Sequence, residues 1–329
     1  MLKIDHLFTA FLTVALFIVC TSTAQQLPAG GWLWKISGNG LTQPSYLLGT
    51  YHGTYNILFQ YTDSIPGFHQ AFSHCSQFAG ESKMTDDSPT AHKQFDYAIK
   101  LPQDTTYANL LNEEDYLFLD SIVRKDLSSP LNKMLIRPNF LALILGEIER
   151  RKELTKAGYS RTQVDSMKSQ VMDIVLERKA IEKGYTVVGL ENVFDAFFSE
   201  GSSLKKEADE LVSALREDDK TSPLSLVNTL HEIYRTQDMK CLINFEMKMD
   251  SIFLTSPRFT EYGKQLREDL LKRRNMNWMN KIPTLIKAQP TFIAVGVRHL
   301  PSKDGLIMLL LDQGYQVEPV GTADNKTDL

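Results

Sequence analysis

The chain has 329 residues, 43% hydrophobic and 23% charged, a composition that can build a full globular core. Its 36 basic and 40 acidic residues leave a net charge of −4, so there is no basic field of the kind that binds nucleic acid. Only three cysteines are present, which excludes a disulfide-framework protein.

The first segment reads as an export signal. Lys3 is followed by the apolar run Leu7–Cys20, and Ser22-Thr23-Ala24 supplies small residues at the spacing of a signal-peptidase site. Residues 1–24 are expected to be removed, leaving 25–329 as one domain in a periplasm or outside the cell. A lipoprotein anchored at Cys20 is the second reading, because Val19 is bulky where the processing enzyme prefers a small residue. No other stretch is long and apolar enough to span a bilayer. In an oxidising compartment Cys75 and Cys241 could pair, or stay as two separate buried thiols.

Short strand-like runs then recur, each ending near a titratable residue. Ser45–Leu48 leads to Gly49 and His52. Gln77–Ala79 leads to Gly80 and Glu81, and Thr186–Val188 leads to Gly189 and Glu191. Thr291–Val295 leads to Gly296 and His299. A glycine there permits a sharp exit and a ligand's close approach to the backbone. Ligands of open α/β sheets bind beyond the strand carboxyl ends. Side by side, these strands would bring two imidazoles and two carboxylates to one edge.

Between the runs the sequence is helical. Asn112–Lys156, Arg161–Glu182 and Leu204–Met279 carry apolar residues at roughly helical spacing. Gly184 and Gly314 each close a helix before a Tyr-led strand, the second running from Gln316 to Val320. The expected fold is α/β (or α+β): a small mixed sheet formed by both ends of the chain, flanked by helices, with a large helical insertion at about residues 100–280. The polar tail 321–329 is expected to be disordered.

Imidazole with carboxylate is a common ligand set for a hydrolytic divalent metal. His52 and His299 are the candidate ligands, and Glu81 the candidate ligand or general base. Glu191 could support the site, cap the following helix or pair with an arginine. Arg274 and Asn275 lie in a helix with Met279, Ile282 and Ile286 on one face and Pro283 as a candidate kink. A buried Arg274 could steady an oxyanion, whereas a solvated basic face is the usual fate of a run such as Lys272-Arg273-Arg274. His231-Glu232 begins like a zincin helix but lacks its second histidine, and no phosphate loop, dinucleotide fingerprint or Gly-x-Ser-x-Gly elbow occurs.

Taken together, "WLWKISGNGLTQPSYLLGTYH", "VVGLENVFDAFF", "RRNMNWMNKI" and "FIAVGVRHLPSKDGLIMLLLDQGYQVEPV" resemble the TraB/GumN family, which is related to the Tiki proteases of animals and distantly to erythromycin-esterase-like proteins. The paired Gly-x-x-His motifs match at Gly49–His52 and Gly296–His299. Glu81, the Arg274-Asn275 pair, Asp173 and Glu191 match further family positions. Ser302 departs from the pattern, standing where the family usually has glycine.

The resemblance implies a metal-dependent hydrolase, a metallopeptidase acting on peptides, using manganese or cobalt, with zinc as an alternative. It would have His52, His299 and Glu81 on the metal and Arg274 and Asn275 against the oxyanion or substrate. Two alternatives remain open. One is a peptide- or small-ligand-binding protein using the same cleft without turnover. The other is a metal-free esterase-like hydrolase with a histidine as general base.

Overall fold

The computed structural model describes residues 29–51, 62–83, 85, 88–90, 93, 96, 99–168, 171–192, 203–216, 223–255 and 268–321. It is a mixed α/β structure around one six-stranded sheet. The strands are β1 (Leu33–Gly38), β2 (Ser45–Thr50), β3 (Gln77–Gly80), β4 (Thr186–Gly189), β5 (Thr291–Gly296) and β6 (Tyr315–Pro319), in the order β4-β3-β5-β2-β1-β6. Both ends of the chain build the sheet, as expected. Among the described residues, the middle lends it only β4.

Position in the sheet follows from side-chain pattern. β5, Thr-Phe-Ile-Ala-Val-Gly, is buried at every residue and takes the centre, where both faces are covered. β6 alternates buried and exposed residues from Tyr315 to Glu318 and takes an edge. β2, β3, β4 and β5 are mutually parallel through their pairings, while β1 runs antiparallel to β2 and β6. The carboxyl ends of β2, β5, β3 and β4 therefore share one edge. Thr50 stands beside Gly296, and Gly80 beside Gly189. β1 was not anticipated from the sequence, although buried Trp34 and Ile36 at a spacing of two are a strand signal.

Helices pack on this sheet. α1 (Phe68–His74) sets Phe68 and Phe72 edge-on to the fully buried Phe292 of β5. The helical middle opens with α2 (Tyr107–Leu110), α3 (Glu113–Leu127), α4 (Pro138–Lys156) and α5 (Arg161–Lys168). α6 (Met172–Glu182) then runs against β3, β4 and β5. Gly184, at φ 74°, ends that unit in the left-handed conformation, as anticipated.

A second apolar cluster lies apart from the sheet core. It is formed by α2, α3, α4 and α7 (Leu204–Arg216), around Leu119, Val123, Leu141, Leu145 and Leu211. Asn112 caps α3, accepting from the Asp115 amide at 2.9 Å. Pro138 opens α4, where its missing N–H would have had no helical partner. α8 (Pro223–Thr236) and α9 (Met239–Thr255) rejoin the sheet core through Tyr234, Met239 and Leu242. A π-helical turn, Glu268–Arg273, leads into α10 (Arg274–Met279) and α11 (Ile282–Ala288). Pro283 sits in the first turn of α11 and so opens a helix rather than kinking one. A 3-10 turn, Val297–His299, and α12 (Leu306–Asp312) complete the chain to β6.

Cys75 and Cys241 are free thiols, and burial pushes Cys75 up to about 12, which keeps it unreactive. Among the described residues no helix is long and apolar enough to cross a membrane. Residues 1–24 and the tail beyond Gly321 lie outside the described residues.

Candidate functional site

The shared carboxyl edge gathers residues far apart in sequence. Glu81 follows β3, Glu191 follows β4, His299 ends the 3-10 turn after β5, and Arg274 and Asn275 open α10. Sheet pairing continues past the strands here: the Leu190 amide donates to the Gly80 carbonyl at 2.9 Å, and the Glu191 amide to the Glu81 carbonyl at 2.8 Å. The two carboxylates thus leave neighbouring strands at the same level. His52 lies outside the described residues.

Arg274 is the hub of this cluster. Its Nε donates to Glu191 Oε1 at 2.9 Å and Oε2 at 3.2 Å, and its Nη2 donates to both Glu191 and Glu81. Its side chain is only 12% exposed, and its carboxylate partners 14% and 6%. Burial alone would lower the guanidinium pKa, but Glu81 and Glu191 outweigh it and raise it further. Glu191 shifts upward from the usual carboxylate range because burial outweighs the opposing pull of Arg274. Trp278 Nε1 donates to Glu191 Oε2 at 3.1 Å, and its ring lies 4.8 Å from the guanidinium carbon. The solvated-face reading of Arg274 therefore gives way: the guanidinium is buried and engaged. Glu191 is the arginine partner that the sequence offered as one alternative.

His299 is 4% exposed at its side chain, and its tautomer follows from its neighbours. Asn275 Nδ2 donates to the carbonyls of His299 at 3.2 Å and Asp304 at 2.8 Å. Its Oδ1 is then the acceptor facing His299 Nδ1 at 2.7 Å, which places the imidazole proton on Nδ1. Arg274 Nη1, which can only donate, stands 3.3 Å from Nε2 and requires the same tautomer. Nε2 is therefore the unprotonated ring nitrogen, its lone pair taken by Arg274 Nη1, and Glu81 Oε1 lies 3.7 Å from it. The Trp278 ring closes the other side, with centroids 4.4 Å apart.

Asn275 was a candidate for steadying substrate. It is 2% exposed, and its amide is committed to His299 and to two backbone carbonyls, so its geometry is that of a positioning group.

The motif glycines act on each other's strands. Gly296 donates its amide to Glu81 Oε1 at 2.7 Å, which fixes the carboxylate against the end of β5. At Gly49 a Cβ would lie 2.8 Å from the Val297 side chain and 3.0 Å from that of Leu300. The close approach expected at Gly49 is thus made by the chain's own turn, the one that carries His299. Asp173, at the start of α6, accepts from Thr50 Oγ1 at 2.7 Å and pins the end of β2. Ser302 adopts φ 84°, the backbone conformation that glycine takes without strain.

Two described donors suit a divalent ion. His299 Nε2 and Glu81 Oε1 stand 3.7 Å apart, a separation that two ligands each ~2.1 Å from one ion can span. The second ring nitrogen of His299 is held by the Asn275 side-chain oxygen, and a hydrogen bond at that nitrogen fixes the orientation of a metal-ligating imidazole. Among the described residues no set of three or more His, Cys, Asp and Glu side chains converges as a ligand group. The chemistry of these two donors fits a divalent ion.

The family model for the TraB/PrgY/gumN family matches residues 32–319, which span the whole sheet and every site residue named above. No curated protein and no solved structure matches the chain.

Proposed function

The chain belongs to the TraB/PrgY/gumN family, and from that premise we propose that it is an exported metal-dependent hydrolase, a metallopeptidase acting on peptides. The observation that carries the reading is the His299–Glu81 pair. The unprotonated nitrogen of an imidazole oriented by Asn275 lies 3.7 Å from a carboxylate oxygen at the edge where parallel strands end. His299 and Glu81, with His52, would hold the ion, manganese or cobalt by the family resemblance and zinc as the alternative. When bound, such an ion lowers the pKa of its water and polarises a carbonyl.

The chain's own groups do the rest. Asn275 keeps the His299 proton on Nδ1, so that Nε2 stays a ligand. The Gly296 amide holds Glu81 in place. Arg274 balances the two carboxylates, and Trp278 excludes water from one side of His299 and Arg274. The apolar run Leu7–Cys20 supports export.

Mass spectrometry of a peptide mixture incubated with the mature chain, with manganese, cobalt, zinc or EDTA, tests this. Cleavage that depends on added metal is expected. Peptides recovered intact under every condition would favour a binding protein, and turnover insensitive to EDTA a metal-free hydrolase.

A further inference from the structure

We propose that Arg274 is the site's built-in cation, and that a divalent ion binds by taking over its contacts to His299 and Glu81 while Glu191 keeps hold of the guanidinium. This rests on the metal-dependent reading above. The Nε2 lone pair of His299 is the one that would ligate an ion, and Arg274 Nη1 stands on it at 3.3 Å. A hydrogen bond and a coordinate bond cannot share that lone pair. Arg274 Nη2 also donates to Glu81 Oε2, the other oxygen of the carboxylate whose Oε1 lies 3.7 Å from His299 Nε2.

The guanidinium has a second anchorage that does not involve these two donors. Nε and Nη2 both reach Glu191, which is held in turn by Trp278 Nε1 at 3.1 Å. The Trp278 ring lies 4.8 Å from the guanidinium carbon and supplies a face for it to rest on. Arginine does not lose its proton under ordinary conditions, so the contest is between two cations and not between protonation states. A positive charge within a few ångströms of the ion also weakens ion binding, so the arginine sets the affinity as well as guarding the ligands.

Calorimetric titration of Mn²⁺ into the chelator-stripped mature chain tests the proposal. Arg274→Met, which removes the charge, is expected to bind Mn²⁺ ~10-fold or more tightly than the unmodified protein. Arg274→Lys keeps the charge and should stay close to the unmodified affinity. Equal or weaker binding by Arg274→Met overturns the proposal and leaves the metal-dependent reading standing. Failure of both the unmodified protein and Arg274→Met to bind overturns the two together.

Thermal unfolding of Arg274→Ala covers the case in which the methionine variant does not fold unaided. Mn²⁺ or methylguanidinium should each raise its melting temperature, and each should weaken the effect of the other. If neither cation raises it, the proposal fails.

Discussion

Arg137 and Glu207 meet inside the helical region, and Arg274 meets Glu81 and Glu191 at the sheet edge. Both are buried guanidinium–carboxylate contacts. In the helical region, Arg137 Nη2 lies 2.6 Å from Glu207 Oε1, and the Glu207 side chain is fully buried. The contact joins the start of α4 to α7, 70 residues later. At the sheet edge one cation faces two anions and an imidazole lone pair, on the rim where parallel strands end. Burial and pairing are common to both, so neither marks a functional site. What distinguishes the second is its place at the ends of parallel strands and the imidazole nitrogen beside its carboxylates.

The largest expected effect separates the two centres by activity. His299→Ala should lower peptide turnover by ~1,000-fold or more, because a lost ligand removes both the nucleophile and the charge stabilisation an ion supplies. Glu207→Gln should leave turnover within a few-fold wherever the protein folds. Comparable losses in both would erase the distinction.

Stability sharpens it next. Arg137→Met strands the buried Glu207 carboxylate and should cost about 3–5 kcal/mol. The loss is expected as faster hydrogen exchange in α4 and α7, and Mn²⁺ should not reverse it. Asn275→Ala then tests positioning at the sheet edge. It should weaken Mn²⁺ binding ~10–100-fold and move the His299 ring-nitrogen resonances as the tautomer is released.

Acid should act on the two regions with opposite sign. Asp120, in α3, is held below the usual carboxylate range by Arg124 and by the Leu131 amide, which donates to it at 2.7 Å. Its contribution is present at neutral pH and is lost as pH falls through the folded value. Glu191 is shifted upward, chiefly by burial. Folding favours its protonated form, so that contribution is present in acid and is lost as pH rises through the folded value. In urea unfolding, the stability of the unmodified chain relative to Asp120→Asn should increase with pH from about pH 2 to about pH 5, and relative to Glu191→Gln it should decrease from about pH 4 to about pH 7.

The smallest effect concerns the turn after His299. Ser302→Gly relieves a side chain from φ 84°, and at such a position the gain should be about 1 kcal/mol in urea unfolding.

The site was partly legible in the sequence. Glu81, Glu191 and His299 could each be named because a short apolar run ending in glycine is a local pattern. Arg274 and Asn275 could be placed on a helix, but their own surroundings read as a basic surface, and only the family motif made them candidates. Trp278 lies inside the stretch RRNMNWMNKI, where nothing local sets it apart. Its contacts to Glu191, Arg274 and His299 have no local signature. The π-helical turn before Arg274 has none either, since it differs from α-helix by one position in a backbone hydrogen-bond register. Gly49 shows the limit most directly: its conformational role was anticipated, but the group that crowds it is a turn 248 positions away in the chain (297 − 49 = 248).

By itself, the sequence determined the elements: apolar runs of strand length, helix–Gly–strand units, and which residues stand at strand ends. Those depend on spacings of a few residues, which the chain carries locally. Only the tertiary structure decided that β5 enters between β3 and β2, and that Arg274 reaches Glu81 across 193 positions. Contacts over such distances are set by which strands pair and by what their buried faces exclude, and no short stretch of residues encodes them.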